Sequence, residues 1–456
     1  MHETFGEEEE KGDFARSLGL IGATNIGLGA MLGGGIYVIS GTAAGMIGPA
    51  LVFAYFVTGV MTVFTAINYA ELACSIPKQG GGYTFAQGTM GGFPAFLTGW
   101  FLFIGNLVAC GLYSLAVAHV IAVFVPGATS STIGLIAVII IGITFVTNLI
   151  SVKGVSGVLG ILNVAQSIVL FAFIIVGFYF IQPTNLTPLF KPGAGLAEFM
   201  GTVSFIYISF VGFELITTAS EEIKEPAKNI PRAILLTLLI ATSVYMAAAL
   251  VIVGVVPYTE VAFSATPISD VFGAMLGPAA FYFGLAGMAA SNYAALNATF
   301  LASARVVYSL GRDRYFPKIL ERVSPRFRTP IPALIVTFIF VSIFAATGNV
   351  AFVASVADFG YLIGLSIVNA SVIVLHHKGL NVPGTFQAKF FPLIPILGVI
   401  TCLILVPTLH GETLFYGTIL SIIGLLIYVA YSRKRNIKHM NENSTDESSV
   451  GIGSDE

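Results

Sequence analysis

Charged residues are scarce in this sequence. Asp, Glu, Lys and Arg make up only 10% of its 456 residues, whereas hydrophobic residues make up 56%. Soluble domains usually contain about 25% charged residues, so this chain cannot cover a globular surface with polar side chains. A net charge of -2 also provides no basic surface for a polyanion, and we expect no nucleic-acid partner.

Cysteine is equally scarce. Cys74, Cys110 and Cys402 are scattered in or beside apolar segments, and this spacing provides neither a disulfide framework nor a set of metal ligands. The sequence also lacks an H-E-x-x-H zinc motif, paired aspartates within its apolar runs and a phosphate-binding loop. We therefore expect no metal, no cofactor and no enzymatic activity.

Long apolar runs, in contrast, occur along almost the whole chain. Many approach 20 residues, the length that crosses roughly 30 Å of hydrocarbon as a helix. The sequence therefore predicts an all-α polytopic membrane protein with twelve transmembrane helices. The predicted spans are 17–43, 48–76, 93–124, 131–150, 155–181, 197–223, 232–256, 271–310, 331–347, 350–375, 390–408 and 412–432.

The distribution of basic residues predicts the orientation. Lys and Arg concentrate in the cytoplasmic loops of membrane proteins. With the N-terminus inside, 20 of the 21 Lys and Arg residues fall on the cytoplasmic side and only Lys191 falls outside. We expect a multi-pass protein of the cell membrane with two cytoplasmic tails, an acidic one at residues 1–16 and a disordered polar one at residues 433–456.

Three consecutive glycines interrupt the first predicted span. Gly33, Gly34 and Gly35 lie in the stretch GAMLGGGIYVISG, and a glycine inside a helix costs about 0.5–1 kcal/mol relative to alanine. Close packing between helices is one explanation for small residues in a membrane. The other is a helix break whose main-chain groups face a cavity or a ligand.

A matching interruption is predicted in the sixth span, where Gly212 is followed closely by Glu214. Transporters often carry broken helices at corresponding positions of inverted repeats. Spans 1–5 (residues 17–181) and 6–10 (residues 197–375) therefore form two predicted repeats, and spans 11 and 12 (residues 390–432) are appended to them.

The two breaks offer complementary groups for a zwitterion. In the first break, the N–H groups at the start of the outer half-helix favour a carboxylate. In the sixth span, the outer half-helix is expected to end near Phe210, and its terminal carbonyls favour an ammonium group. The predicted amino acid site consists of Leu32, Gly33, Gly34, Gly35, Ile36, Phe210, Val211, Gly212 and Phe213.

Four motifs resemble the amino acid–polyamine–organocation transporter superfamily. They are GGGIYV from residue 33, YAELACSIPKQGGGYTF from residue 69, FVGFELITTASEEIKEPAKNIPRAI from residue 210 and ASARVVYSLGRDRYFP from residue 302. The resemblance implies a five-plus-five inverted repeat like that of the leucine transporter, with discontinuous helices 1 and 6 and an alternating-access mechanism. It also implies that Phe210 is an outer-gate ring that closes over the substrate.

Acidic residues within the spans are candidates for gating or coupling. We expect Glu214 either to accept N–H groups freed by the break or to contact the substrate or coupling ion. We expect Glu71 to pair with basic residues such as Lys78, or those of the 8–9 loop, at the inner gate. Asp358 is expected to be a solvated residue of the outer vestibule, with a proton or cation role as the alternative.

The sequence leaves the coupling ion open between proton and sodium. The resemblance places Gln166 where some proton-coupled relatives carry a lysine, and glutamine cannot carry a proton. Ser291 and Asn292 form the polar pair nearest to the Ser/Thr pair of sodium-coupled relatives. Sodium coupling, protonation at another site and uncoupled exchange are all retained.

The sequence thus predicts a secondary transporter, a symporter or exchanger, of amino acids. Glu214 is the only acid near the breaks, which favours a neutral or broad substrate range over a cationic one. An amino acid- or amine-binding membrane sensor on the same scaffold is the alternative. The expected partners are a small-molecule substrate and the lipid bilayer, with no obligate protein partner indicated.

Overall fold

The structure, a computed structural model, describes residues 18–76, 80–150, 152–262, 264–324, 329–382 and 384–432. The predicted tails, residues 1–16 and 433–456, lie outside these ranges, and so does Lys78.

The described residues form seventeen α-helices joined by short turns. The helices are α1 (Leu20–Met31), α2 (Gly34–Ile47), α3 (Leu51–Ser75), α4 (Gly81–Thr89), α5 (Gly92–Ala122), α6 (Ser130–Ile150), α7 (Val152–Gly177), α8 (Leu196–Phe205), α9 (Leu215–Thr218), α10 (Pro226–Val255), α11 (Tyr258–Val261), α12 (Pro267–Leu276), α13 (Pro278–Arg312), α14 (Ile331–Ala345), α15 (Val350–His377), α16 (Leu393–Leu405) and α17 (Gly411–Ile427).

Seven helical segments of the described chain are long and apolar enough to cross a membrane. They are Gly34–Ser75, Gly92–Ala122, Ser130–Ile150, Leu159–Phe180, Pro226–Val255, Val350–His377 and Gly411–Tyr431. Shorter apolar helices are Leu20–Met31, Pro267–Leu276, Ile331–Ala345 and Leu393–Thr408. The prediction of an all-helical, multi-pass membrane protein is therefore confirmed.

Helix α5 is one of the most deeply buried elements of the bundle. In its most apolar window 89% of the residues are buried, against 33% for α6 and 17% for the segment that contains α17. The outer helices instead expose large apolar side chains, such as Ile139 and Phe415. A surface of this kind faces lipid in a membrane protein.

Glycines allow α5 and α15 to approach closely. A Cβ atom on Gly360 of α15 would lie only 2.8 Å from the main-chain nitrogen of Gly105 on α5. Small residues let helix backbones pack in this way inside membranes, where van der Waals contact drives association. This pair fixes α15 against the centre of the bundle.

The eighth predicted span is not one long helix. Residues 271–310 were predicted to form one span, but the structure has α12 and α13 with Gly277 between them at φ +85°. A left-handed conformation favours glycine, and Pro278 is suited to the first position of the next helix because it needs no N–H partner there.

A main-chain bridge joins the start of the first helix to the segment after α9. The N–H of Leu18 donates to the carbonyl of Glu222 at 3.0 Å, and the N–H of Lys224 donates to the carbonyl of Leu18 at 2.8 Å. The chain just before α1 is therefore bonded to the chain just after α9, so the predicted first and sixth spans are linked at this end of the molecule.

Candidate functional site: two helix breaks in contact

The first break lies between α1 and α2. Helix α1 ends at Met31, and α2 begins at Gly34 with Gly33 as its N-cap residue. Apart from the hydrogen bonds within helices, no main-chain hydrogen bond of the described chain is donated by the N–H groups of residues 33–35. Such groups at a helix N-terminus carry partial positive charge.

The second break is longer than the sequence predicted. Helix α8 ends at Phe205, not near Phe210, and the chain continues as a 3-10 turn, Tyr207–Phe210. A 3-10 turn tightens the last carbonyls of a helix before the chain changes direction. Gly212 then adopts φ +134°, a conformation open chiefly to glycine.

Glu214 holds this irregular segment. Its Oε2 accepts a hydrogen bond of 2.7 Å from the main-chain N–H of Gly212, and α9 starts at the next residue, Leu215. A carboxylate that accepts from a main-chain N–H forms one of the stronger hydrogen bonds in proteins. The side chain therefore satisfies a donor that the broken helix leaves without a helical partner.

The two breaks touch each other through glycines. A Cβ on Gly212 would lie 3.0 Å from both the Cβ of Ala30 and the nitrogen of Met31, and a Cβ on Gly35 would lie 2.6 Å from the Cα of Ser209. No larger residue fits at either position without moving the opposite main chain. The glycines predicted as a break in span one thus also form a packing surface against the second break.

Tyr245 of α10 bonds to both breaks. Its hydroxyl contacts the carbonyl of Met31 and donates towards the carbonyl of Ser209, 2.7 Å away. Its ring packs against Phe210, with centroids 5.2 Å apart, and against Tyr55, 5.4 Å apart. Phe210 is fully buried in this aromatic cluster.

Helix α13 and α5 enclose the first break. The Oγ of Ser291 lies 3.4 Å from the carbonyl of Leu32. A Cβ on Gly34 would lie 2.6 Å from Oδ1 of Asn292 and in steric overlap with the Tyr113 ring. Oδ1 of Asn292 has no hydrogen-bond partner in the described chain, so an unsatisfied acceptor faces the break.

Gln166 reaches the first break only indirectly. Its carbonyl accepts a 2.9 Å hydrogen bond from the Tyr37 hydroxyl of α2, and its Nε2 donates to Oδ1 of Asn163 at 3.1 Å. The side chain is buried. The structure therefore places Gln166 against α2, the helix that follows the first break, and not in the break itself.

Glu71 bonds to residues that the sequence did not predict, while Lys78, one of its expected partners, lies outside the described residues. Its Oε1 lies 2.5 Å from Nε2 of His376 at the end of α15, and its Oε2 accepts from the Ala388 N–H at 2.9 Å. His376 also stacks on Phe391, with centroids 4.1 Å apart. Glu71 thus ties α3 to the end of α15 and the segment after it.

Removing the Glu71 carboxylate should destabilise the protein. Glu71→Ala leaves the partly buried His376 ring nitrogen and the buried Ala388 N–H without their acceptor, and a buried group of this kind costs about 1–3 kcal/mol. Thermal unfolding in detergent measures this loss. Glu225→Gln is the matched control, because its pair with Lys228 is exposed and exposed pairs contribute about 0–1 kcal/mol. Equal Tm values for the two variants would contradict the assignment.

The expectation that Asp358 is solvated is also wrong. Its side chain is completely buried on α15, because the helix packs on α5 and on the turn Tyr207–Phe210. A single acid in an apolar run gives no indication of which helix face it occupies.

A partly open cavity of about 270 Å³ lies beside the breaks. It is lined by Glu214 and by residues of α1, α3, α4, α5, α9, α13 and α15, including Gly81, Arg305 and Tyr361. The predicted site residues 32–36 and 210–213 do not line it. In this conformation the two breaks are packed against each other, and Glu214, which follows the second break, is among the lining residues of the cavity.

Tyr55, Tyr113 and Tyr245 are site residues that sequence reasoning missed. Each lies within a long apolar helix, and their chain positions give no indication of contact with the breaks. Tyrosine inside a span is the available signal, because a buried hydroxyl usually needs a hydrogen-bond partner.

These features define the class of protein. Apolar helices long enough to cross a membrane surround two interrupted helices that meet in the interior, where main-chain groups are freed from helical hydrogen bonding. In a membrane, irregular backbone of this kind is tolerated only where it is buried in protein or lines a cavity, and it is typical of transporters.

The chain belongs to the amino acid permease family, which it matches over residues 18–431. It is 30% identical over 467 residues to the branched-chain amino acid permease BcaP of Bacillus subtilis, covering 95% of this chain and 96% of that protein. It is 29% identical to the methylthioribose transporter of Bacillus subtilis, covering 95% and 97%. It is also 29% identical to the vacuolar cationic amino acid transporter 4 of Arabidopsis thaliana, covering 80% and 64%. The family consists of transport proteins rather than enzymes.

Proposed function

We propose that this protein is a secondary transporter that moves amino acids across the cell membrane by alternating access, with the substrate bound at the two helix breaks. The observation that carries the proposal is the direct contact between the breaks, in which Gly212 packs on Ala30 and Gly35 packs on Ser209. Separation of these surfaces by a few ångströms gives a substrate access to main-chain groups of both.

The first break supplies the carboxylate half of the proposed site. The N–H groups at the start of α2 point into the break, and Gly33, Gly34 and Gly35 place no side chain over them. Helix N-termini bind anions through such groups.

The second break supplies the ammonium half. Apart from the hydrogen bonds within helices, no main-chain N–H of the described chain donates to the carbonyls of Phe210 and Val211. Oxygens of this kind suit a cation, and Phe210 lies directly beside them as the proposed gate ring.

We propose a neutral substrate, with branched-chain amino acids as the first to test. Side chains next to the breaks are mostly apolar or aromatic, as at Ile36, Phe210 and Val211. Glu214 already accepts the Gly212 N–H, and one of the relatives above is described as a branched-chain amino acid permease.

The proposed membrane topology is that of twelve spans, with residues 17–181 and 197–375 as inverted repeats, residues 390–432 as two further spans and both termini in the cytoplasm. The helix breaks at equivalent places in the two halves and the one-sided distribution of Lys and Arg support this topology. The proposed transport cycle uses the protein, its substrate and a coupling ion, without a cofactor or an obligate protein partner.

Exchange in proteoliposomes tests the proposal. Purified protein is reconstituted with internal L-leucine, and uptake of external radiolabelled leucine, isoleucine, valine, lysine and arginine is followed. We expect counterflow of the neutral amino acids and little of the cationic ones. If none of these amino acids enters protein-containing vesicles faster than empty ones, the transporter proposal is wrong for them. Leucine binding in detergent without any flux would favour the sensor alternative.

A further inference from the structure

Asp358 is a buried acid without a partner. Its side chain has no solvent exposure, and neither carboxyl oxygen forms a hydrogen bond with any described residue. The N–H of Ile208 in the turn Tyr207–Phe210 faces the carboxyl group but does not complete a hydrogen bond. The acid therefore abuts the second helix break on its own.

No positively charged side chain of the described chain is paired with Asp358. The titratable groups that interact with it are Tyr113 of α5 and Tyr361 of its own helix, and Tyr361 in turn interacts with Cys110 and Glu214. None of these is a cation, and the described ion pairs do not include Asp358. An isolated carboxylate in an apolar interior is so costly that the group binds a proton instead.

Asp358 lies near the cavity along its own helix, α15. Asp358 and Tyr361 are three residues apart on α15 and so lie on the same helix face, one above the other. Tyr361 lines the cavity, while Asp358 does not. Asp358 thus lies about one helical turn, roughly 5 Å along α15, from a residue of the cavity wall, and the Ile208 N–H of the turn Tyr207–Phe210 faces its carboxyl group.

We propose that Asp358 is the proton-binding site that couples amino acid movement to a proton gradient, an inference that rests on the proposed function. In the packed conformation, Asp358 holds a proton. Movement of the turn Tyr207–Phe210 away from α15 opens the carboxyl group to water and lets the proton exchange. Because this turn ends at Phe210, whose carbonyl is one of the two proposed to bind the ammonium group, substrate binding and protonation act on the same element.

A metal cation is a poorer occupant of this position. Hard cations need several oxygen ligands at once, whereas the Asp358 oxygens have no hydrogen-bonding oxygen or nitrogen partner in the described chain. That part of the chain also contains no group of three or more His, Cys, Asp or Glu side chains placed to hold a metal. A proton needs only the carboxyl group.

The test compares Asp358→Asn with wild type in proteoliposomes that contain a pH-sensitive dye. Asparagine imitates the protonated acid, so leucine counterflow should stay within about 2-fold of wild type, whereas uptake driven by an acidic exterior should fall at least about 10-fold. Leucine-dependent acidification of the vesicle interior should disappear as well. Asp270→Asn is the matched control, since this acid bonds to Ser264 and Thr266 outside the breaks, and it should behave as wild type.

Two results would overturn the inference while leaving the proposed function intact. The first is counterflow in the wild-type protein without any response to the pH gradient. The second is gradient-driven uptake in Asp358→Asn at the wild-type rate. If asparagine also abolishes counterflow, Asp358→Glu decides: retained acidification supports the proton site, and counterflow without acidification contradicts it. Absence of wild-type counterflow would instead count against the proposed function.

Discussion

Gly35→Val should abolish leucine binding and exchange while leaving the protein inserted and folded. A Cβ on Gly35 would lie 2.6 Å from the Cα of Ser209, and main chain cannot rotate away as a flexible side chain can. Valine must therefore push the two breaks apart and place methyl groups over the N–H groups of α2. A branched residue at the start of α2 is otherwise tolerable, because the position is helical and has no positive φ.

The expected loss is large because the lost interactions involve charge. Hydrogen bonds to charged groups contribute about 1.5–3 kcal/mol each. Two such bonds between the substrate carboxylate and the N–H groups at the first break correspond to a loss of more than about 100-fold in affinity. Displacement of Ser209 also disturbs the neighbouring carbonyls of the second break.

Gly160→Val is the control for this experiment. Gly160 also lies in a helix, α7, but it is exposed and a Cβ there would meet nothing within 4 Å. We expect its leucine affinity and exchange to equal those of wild type. Wild-type binding by Gly35→Val would show that the glycines serve packing only.

Glu214→Ala should reduce the exchange rate by at least about 10-fold, which corresponds to ~1.4 kcal/mol of activation free energy. The substitution removes the acceptor of the Gly212 N–H and so releases a residue held at φ +134°. The segment that presents the carbonyls of Phe210 and Val211 then loses its fixed geometry. Exchange rates and leucine affinity, both measured in proteoliposomes, report this loss.

Glu214→Gln separates the two roles expected for this residue. Glutamine keeps an acceptor oxygen but carries no charge and binds no proton. If Glu214 acts by holding Gly212, the glutamine variant should regain most of the exchange that alanine loses. Equal defects in Glu214→Gln and Glu214→Ala would contradict the structural role and favour a direct role of the charge in substrate or ion binding.

The breaks were predictable because their cause is local. Three glycines in a row at residues 33–35, and Gly212 next to Glu214, disfavour a continuous helix whatever surrounds them. The end of α8 at Phe205 was not predictable in the same way. Residues 206–210 are apolar or small enough to continue a helix, and their 3-10 geometry depends on contacts with α2, α3 and α15.

The partners across the bundle could not be read from one sequence. Glu71 and His376 are separated by 305 positions, and Tyr245 reaches Met31 across 214. Such pairs depend on which helices are neighbours, and hydrophobic periodicity does not determine neighbours in a chain that is apolar almost throughout. The same limitation led to the wrong expectation that Asp358 is solvated.

A structure with bound L-leucine tests the central claim most directly. We predict the leucine carboxylate against the main-chain N–H groups of residues 33–35 and its ammonium group against the carbonyls of residues 210–213, with the Gly35–Ser209 contact opened to admit it. Leucine bound within the existing cavity between Glu214 and Arg305, with the two breaks still packed against each other, would contradict the account.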